Sequence, residues 1–113
     1  MRVLVLEDEP LVAMDIAAIV AGAGWDVVGP AATVQKALKS IEDKGCDAAI
    51  LDANLGGESA EPVADTLRLR GIPFIVLSGY ANDQLQGPLL NAPFLAKPYN
   101  PGALVALVRS LCS

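Results

Sequence analysis

Arg2-Val3-Leu4-Val5-Leu6-Glu7-Asp8-Glu9-Pro10 is a short apolar run that ends in acids and then meets a proline. Aliphatic side chains in succession suit a strand buried on both faces, and Pro10 suits the first turn of a helix, where its missing N–H is no loss. Leu11, Met14, Ile16, Ile19 and Val20 then recur at helical spacing, with Gly22 and Gly24 as the stop. A strand running directly into a helix is half of a parallel crossover unit, and the rest of the chain repeats the pattern. Val27-Val28-Gly29-Pro30 reads as a second strand ending in a turn. Thr33 can cap a helix with Val34, Ala37, Leu38 and Ile41 on one face, before Gly45 ends it. Ala48 to Leu51 reads as a third strand. After Gly56-Gly57, Ser59 can cap a helix reaching about Arg70, and Phe74-Ile75-Val76-Leu77 is a fourth strand. Gly87, Pro88 and two asparagines in 81–92 argue against a long regular helix there. Phe94-Leu95-Ala96 is a fifth strand, and Asn100-Pro101 opens a last helix that buries Leu104, Leu107, Val108 and Leu111.

Alternating strands and helices imply a parallel sheet covered on both faces, with right-handed crossovers. The expected fold is a doubly wound (βα)5 α/β domain, a flavodoxin-like three-layer sandwich of strand order 2-1-3-4-5. Its 113 residues fit one domain, 1–113, and a composition of 53% hydrophobic and 19% charged residues argues against disorder. The uncharged run between Asp15 and Asp26 is far shorter than the roughly 20 residues a membrane helix needs. No cleavage-site pattern follows the first apolar run, so a cytoplasmic protein is expected. Eight basic against thirteen acidic residues, with the basic ones scattered, disfavour nucleic-acid binding. Cys46 and Cys112 match no metal spacing and read as free thiols. Without histidine the chain has no Ser/His/Asp triad and no zinc finger, and it cannot carry phosphohistidine. Gly22-Ala23-Gly24 follows a helix and position 27 is valine, so it is no dinucleotide loop.

Ligands of open parallel sheets bind beyond the carboxyl ends of the strands, where the connection direction switches. The first strand there ends in Glu7-Asp8, the third in Asp52, the fourth in Ser78 and the fifth in Lys97. In the expected strand order the first and third strands are neighbours, so Asp8 and Asp52 face each other. Carboxylates brought together repel, and an oxygen-only donor set suits a hard divalent cation such as magnesium, or manganese. A cation there can orient a phosphoryl group while Asp52 attacks phosphorus and forms an acyl phosphate. Ser78 can donate to one phosphoryl oxygen and Lys97 can pair with another.

The ordered set Glu7-Asp8, Asp52, Ser78 and Lys97-Pro98 resembles the receiver domain of bacterial two-component response regulators, along the whole chain. The resemblance implies that Asp52 is the phosphoacceptor, with Ser78 the switch hydroxyl and Lys97 the phosphate-binding lysine. It makes Asp8 a direct magnesium ligand, Glu7 a ligand mostly through water, and the Asn54 backbone carbonyl a further ligand. Phe94, three residues before Lys97, stands where many receivers keep an aromatic that turns inward on activation; plain core packing is the competing reading. Asn54 and Tyr80 lie where the family tunes access of hydrolytic water, and so would set the phosphorylated lifetime. Pro73 to Tyr80, with Leu55-Gly56-Gly57, looks like the "FAT GUY" group of mostly alphaproteobacterial receivers, although Val76-Leu77-Ser78 departs from its Phe-Ala-Thr. That group often has a weakened fourth helix, in keeping with the breakers between Ser78 and Lys97, and mobility is expected in 79–93.

In this family the donor histidine belongs to a histidine kinase or phosphotransfer protein, which fits a chain that has none. Trp25 is read as a packing residue. The first and last helices carry few charges and are neighbours by resemblance, so their shared face is expected to contact a kinase, a phosphotransfer partner or a second copy in a homodimer. The expected function is a stand-alone phosphoacceptor switch, not an enzyme. The rivals are a constitutive protein-binding pseudo-receiver and an aspartyl phosphatase, the second weakened by Asn54 where that chemistry uses an acid.

Overall fold

The computed structural model describes residues 1–53, 55–79, 89 and 92–111. Five strands, β1 (Arg2–Leu6), β2 (Asp26–Ala31), β3 (Ala48–Asp52), β4 (Phe74–Ser78) and β5 (Phe94–Ala96), form one parallel sheet of order 2-1-3-4-5. Helices α1 (Pro10–Gly22), α2 (Val34–Asp43) and α3 (Glu61–Leu69) connect the first four strands, and α4 (Pro101–Ser110) follows β5. The crossover between β4 and β5, with the mobility expected for 79–93, lies largely outside the described residues.

Alternation along the strands sorts the core into two layers. Leu4, Leu6, Ala49, Leu51 and Val76 point to one face and pack against α2 and α3. Val3, Val5, Ile50, Ile75 and Leu77 point to the other, where Ile16 and Val20 of α1 and Leu104 and Val108 of α4 cover them. Apart from Arg2 at the start of β1, the three central strands are buried on both faces, which is why they are runs of apolar residues rather than alternating, with Asp52 and Ser78 only at their ends.

Helix ends follow their local chemistry. Thr33 Oγ1 accepts from Lys36 N and Asn100 Oδ1 from Ala103 N, both at 3.1 Å, as expected of cap residues. Gly45 takes φ +72° just past α2, and its N–H closes onto Ser40 O at 3.1 Å. The first N–H of α2 is satisfied from elsewhere in the fold. Glu58 Oε1, in the loop after β3, accepts from Val34 N at 3.1 Å and brings negative charge to the positive end of the helix dipole.

The expectations are corrected at several points. α3 ends at Leu69, next to the expected Arg70, but its cap residue is Ala60 rather than Ser59, although Ser59 Oγ does accept the N–H of Glu61 at 3.1 Å. Gly22 is the last residue of α1 rather than its stop. Leu11 and Met14 are exposed at 81% and 68%, against their expected place on the apolar face. At about 100° per residue, the face centred on Ala13, Ile16 and Val20 leaves Leu11 and Met14 on the far side. Phe94 is 40% exposed, so it is not plain core. Trp25 packs, as expected, half-buried against the α1–α4 layer with the Arg109 guanidinium 5.6 Å from its ring centre.

Because Ile16 is wholly buried and Leu11 is not, Ile16→Ala lowers stability by about 2–5 kcal/mol. Leu11→Ala shifts it by less than about 0.5 kcal/mol. Urea unfolding of the two variants checks the contrast.

Candidate functional site

Glu7 and Asp8 follow β1 directly, Asp52 and Ser78 are the final residues of β3 and β4, and Lys97 follows β5. Parallel strands bring these carboxyl ends to one edge of the sheet. β1 and β3 pair through Leu6 and Leu51, and β3 and β4 through Asp52 and Leu77, so the polar residues stand side by side. One carboxylate oxygen from each of Glu7, Asp8 and Asp52 lies within 4.8 Å of the others. Glu7 and Asp52 are almost completely buried and Ser78 completely so, while Asp8 is half-buried at the mouth.

Lys97 reaches into this cluster. Its Nζ lies 3.0 Å from Glu7 Oε1 and 3.3 Å from Asp52 Oδ1, and its backbone N–H donates to Ser78 O at 2.7 Å. Glu7 Oε2 accepts from Glu9 N at 3.3 Å, which holds that carboxylate inward. The structure therefore brings together Glu7, Asp8, Asp52, Ser78 and Lys97. Asn54 and Tyr80 lie outside the described residues, and Phe94 stands at the start of β5, away from this end of the strand.

Two neighbours of the cluster were missed in the sequence. Gly56, read as loop and as part of the Leu55-Gly56-Gly57 resemblance but given no place in the site, has φ +65°, and a Cβ there would come within 3.3 Å of Asp8 Oδ2. Tyr99, two residues past Lys97, donates its hydroxyl to Asp15 Oδ2 of α1 at 2.7 Å. Nothing in the local sequence signals that pair, because its partners are distant along the chain.

The response regulator receiver domain family matches this chain over residues 3–109. The chain belongs to that family. SdrG from Sphingomonas melonis Fr1 has a solution structure to which this receiver is similar with a TM-score of 0.86 and 38% identity, covering 100% of this chain and 97% of that one. A BeF3-activated SdrG structure, from Pseudomonas melonis Fr1, gives a TM-score of 0.77 at 39% identity, with 95% of both chains covered. The phyllosphere-induced regulator PhyR of Methylorubrum extorquens is 36% identical over 111 residues, 95% of this receiver and 42% of PhyR. The receiver spans about half the length of the curated relatives it matches. As a receiver domain it is a phosphoacceptor module of two-component signalling rather than a classical enzyme.

The residues fit a divalent cation. Three converging carboxylates offer only oxygen, and one ammonium among them leaves the centre net negative, a donor set for magnesium or manganese. Glu7 registers the strain: burial pushes its pKa up first, and the neighbouring Asp52 carboxyl pushes it further, against the pull of Lys97. For Lys97 burial acts downward, but Glu7 and Asp52 together outweigh it and hold the ammonium above its ordinary range.

These directions fix the pH response of the metal-free protein. Between the ordinary 4.5 and the raised folded value of Glu7, the native state keeps a proton that the unfolded chain has released, so stability falls as pH rises through that window. The Lys97 contribution is present below 10.5 and is lost as pH climbs through its raised folded value. Denaturant unfolding in chelator should show the acidic-side decline, with Glu7→Gln flattening it. An unchanged slope in Glu7→Gln would refute the assignment.

Proposed function

We propose that this receiver is a single-domain response regulator that takes a phosphoryl group from phosphohistidine onto Asp52 and thereby changes its affinity for a partner. The observation that carries this reading is the buried Asp52 carboxylate set between Lys97 and the Glu7 and Asp8 carboxylates at one sheet edge. SdrG, a similar chain of nearly the same extent, supports it through its BeF3-activated conformation. The resemblance to the "FAT GUY" group belongs to the same proposal.

In the reaction an Asp52 oxygen attacks phosphorus in line as the N–P bond of a donor phosphoimidazole protonated on its other ring nitrogen breaks, leaving an acyl phosphate on the receiver and a neutral imidazole on the donor. Glu7, Asp8, Asp52 and the Asn54 carbonyl would hold the cation, which supplies charge neutralisation for the phosphoryl oxygens. Lys97 exchanges its contact with Asp52 for a phosphoryl oxygen, keeping its charge in place as negative charge arrives. The Ser78 hydroxyl donates to a second oxygen, and that movement frees space into which Phe94 turns from its exposed resting position. Asn54 and Tyr80 set the access of hydrolytic water and hence the lifetime.

The donor is a histidine kinase or a histidine phosphotransfer protein, because the chain supplies no histidine. It docks on the face where α1 and α4 lie together, with the exposed Leu11 and Met14 of α1 as apolar contacts. Among the described residues no helix is long and apolar enough to cross a membrane, and the reading places the chain in the cytoplasm, in contact with no nucleic acid.

Intact mass after incubation with acetyl phosphate and magnesium tests the chemistry. Wild type gains one phosphoryl group, Asp52→Asn gains none, and chelator added before the donor prevents the gain. An unmodified, folded wild type would point instead to a constitutive protein-binding pseudo-receiver. Leu11→Glu combined with Met14→Glu slows transfer from the cognate phosphohistidine partner at least tenfold while leaving labelling by acetyl phosphate intact. Loss of self-association in that variant, with transfer unchanged, would assign the face to a homodimer.

A further inference from the structure

The reach of Lys97 into the site depends on where its backbone sits, because the side chain between is flexible. Upstream, the position is fixed by the Lys97 N–H donating to Ser78 O at 2.7 Å. Downstream, β5 has already ended at Ala96, and Pro98 has no N–H with which to continue the ladder. An open surface groove of about 510 Å³ runs between α1 and this segment, lined by Leu11, Val12, Asp15, Lys97, Pro98 and Tyr99.

One polar link spans that gap. Tyr99 Oη donates to Asp15 Oδ2 at 2.7 Å, while the ring is half-buried against the layer that holds Ile16 and Leu104. Asp15 lies on the same β1–α1 segment as Glu7, whose carboxylate takes the Lys97 ammonium at 3.0 Å. Lys97-Pro98-Tyr99 is thus tied twice to one segment, once inside the site and once outside it. Burial, and then the Asp15 carboxylate, keep the phenol above its ordinary range, so it remains a donor at physiological pH.

We propose that Tyr99, through its hydrogen bond to Asp15, is a positioning residue that holds Lys97 where it meets a phosphoryl group on Asp52. The proposal rests on the phosphoacceptor reading and adds to it a residue pair outside the site. Lys97 meets the phosphoryl group and not the cation, so loosening its backbone weakens capture of a phosphoryl mimic without weakening the cation.

The test is titration of full-length protein with beryllofluoride at saturating magnesium, alongside a separate magnesium titration. Tyr99→Phe and Asp15→Ala each weaken beryllofluoride capture by about three- to tenfold, the range of one net hydrogen bond, with magnesium affinity unchanged. Asp15→Asn, which keeps an acceptor oxygen, recovers most of the loss seen in Asp15→Ala. In a Lys97→Ala background, Tyr99→Phe has no further effect. Equal beryllofluoride capture by Tyr99→Phe and wild type, or a matching loss of magnesium affinity, would overturn the positioning role while leaving the receiver reading intact. Failure of wild type itself to capture beryllofluoride would overturn the reading and the inference together.

Discussion

Holding three carboxylates within 4.8 Å of one another is the constraint around which this protein is arranged. Two of them are buried, where water screens little and repulsion is strongest. Such a cluster persists only because the surrounding fold is stiff. Glu7, Asp52 and Ser78 sit at the ends of central strands buried on both faces, and the two apolar layers fix their spacing. Lys97 relieves part of the repulsion without abolishing it. The residual negative charge makes the cluster a donor set that fits a divalent cation, with the lysine shared between two carboxylates.

The two helical layers divide the labour. The layer formed by α2 and α3 covers one side of the sheet, and its helices carry charge on their outer faces. The layer formed by α1 and α4 is paler outside, with exposed Leu11 and Met14, and it adjoins both the acids after β1 and the lysine after β5. That surface therefore shares its anchoring segments with the acidic cluster.

Much of the site was legible because a polar residue directly after an apolar strand has few structural reasons to exist. Glu7, Asp8, Asp52, Ser78 and Lys97 each announced themselves in that way, and the parallel topology supplied their convergence. The orientation of α1 was not legible in the same way. That helix is apolar or small on several sides, so Leu11 and Met14 fit a helical period without belonging to the buried face. Phe94 stood in an apolar run too short to separate core from surface. The Tyr99–Asp15 bond and the Glu58 cap join residues distant in sequence, and only folding reveals such pairs.

The reach of Glu58 to the start of α2 bears on how this sequence can vary. The loop after Asp52 lies between a strand end held by its pairing with β4 and a carboxylate that arrives at Val34 N. Its length is therefore bounded from both sides. An inserted residue would carry Glu58 past the helix it caps, and a deleted one would draw Gly56 away from Asp8. Surface loops usually absorb insertions freely; this one is tied at Glu58 and close to Asp8 at Gly56, although Gly56 to Ser59 are exposed.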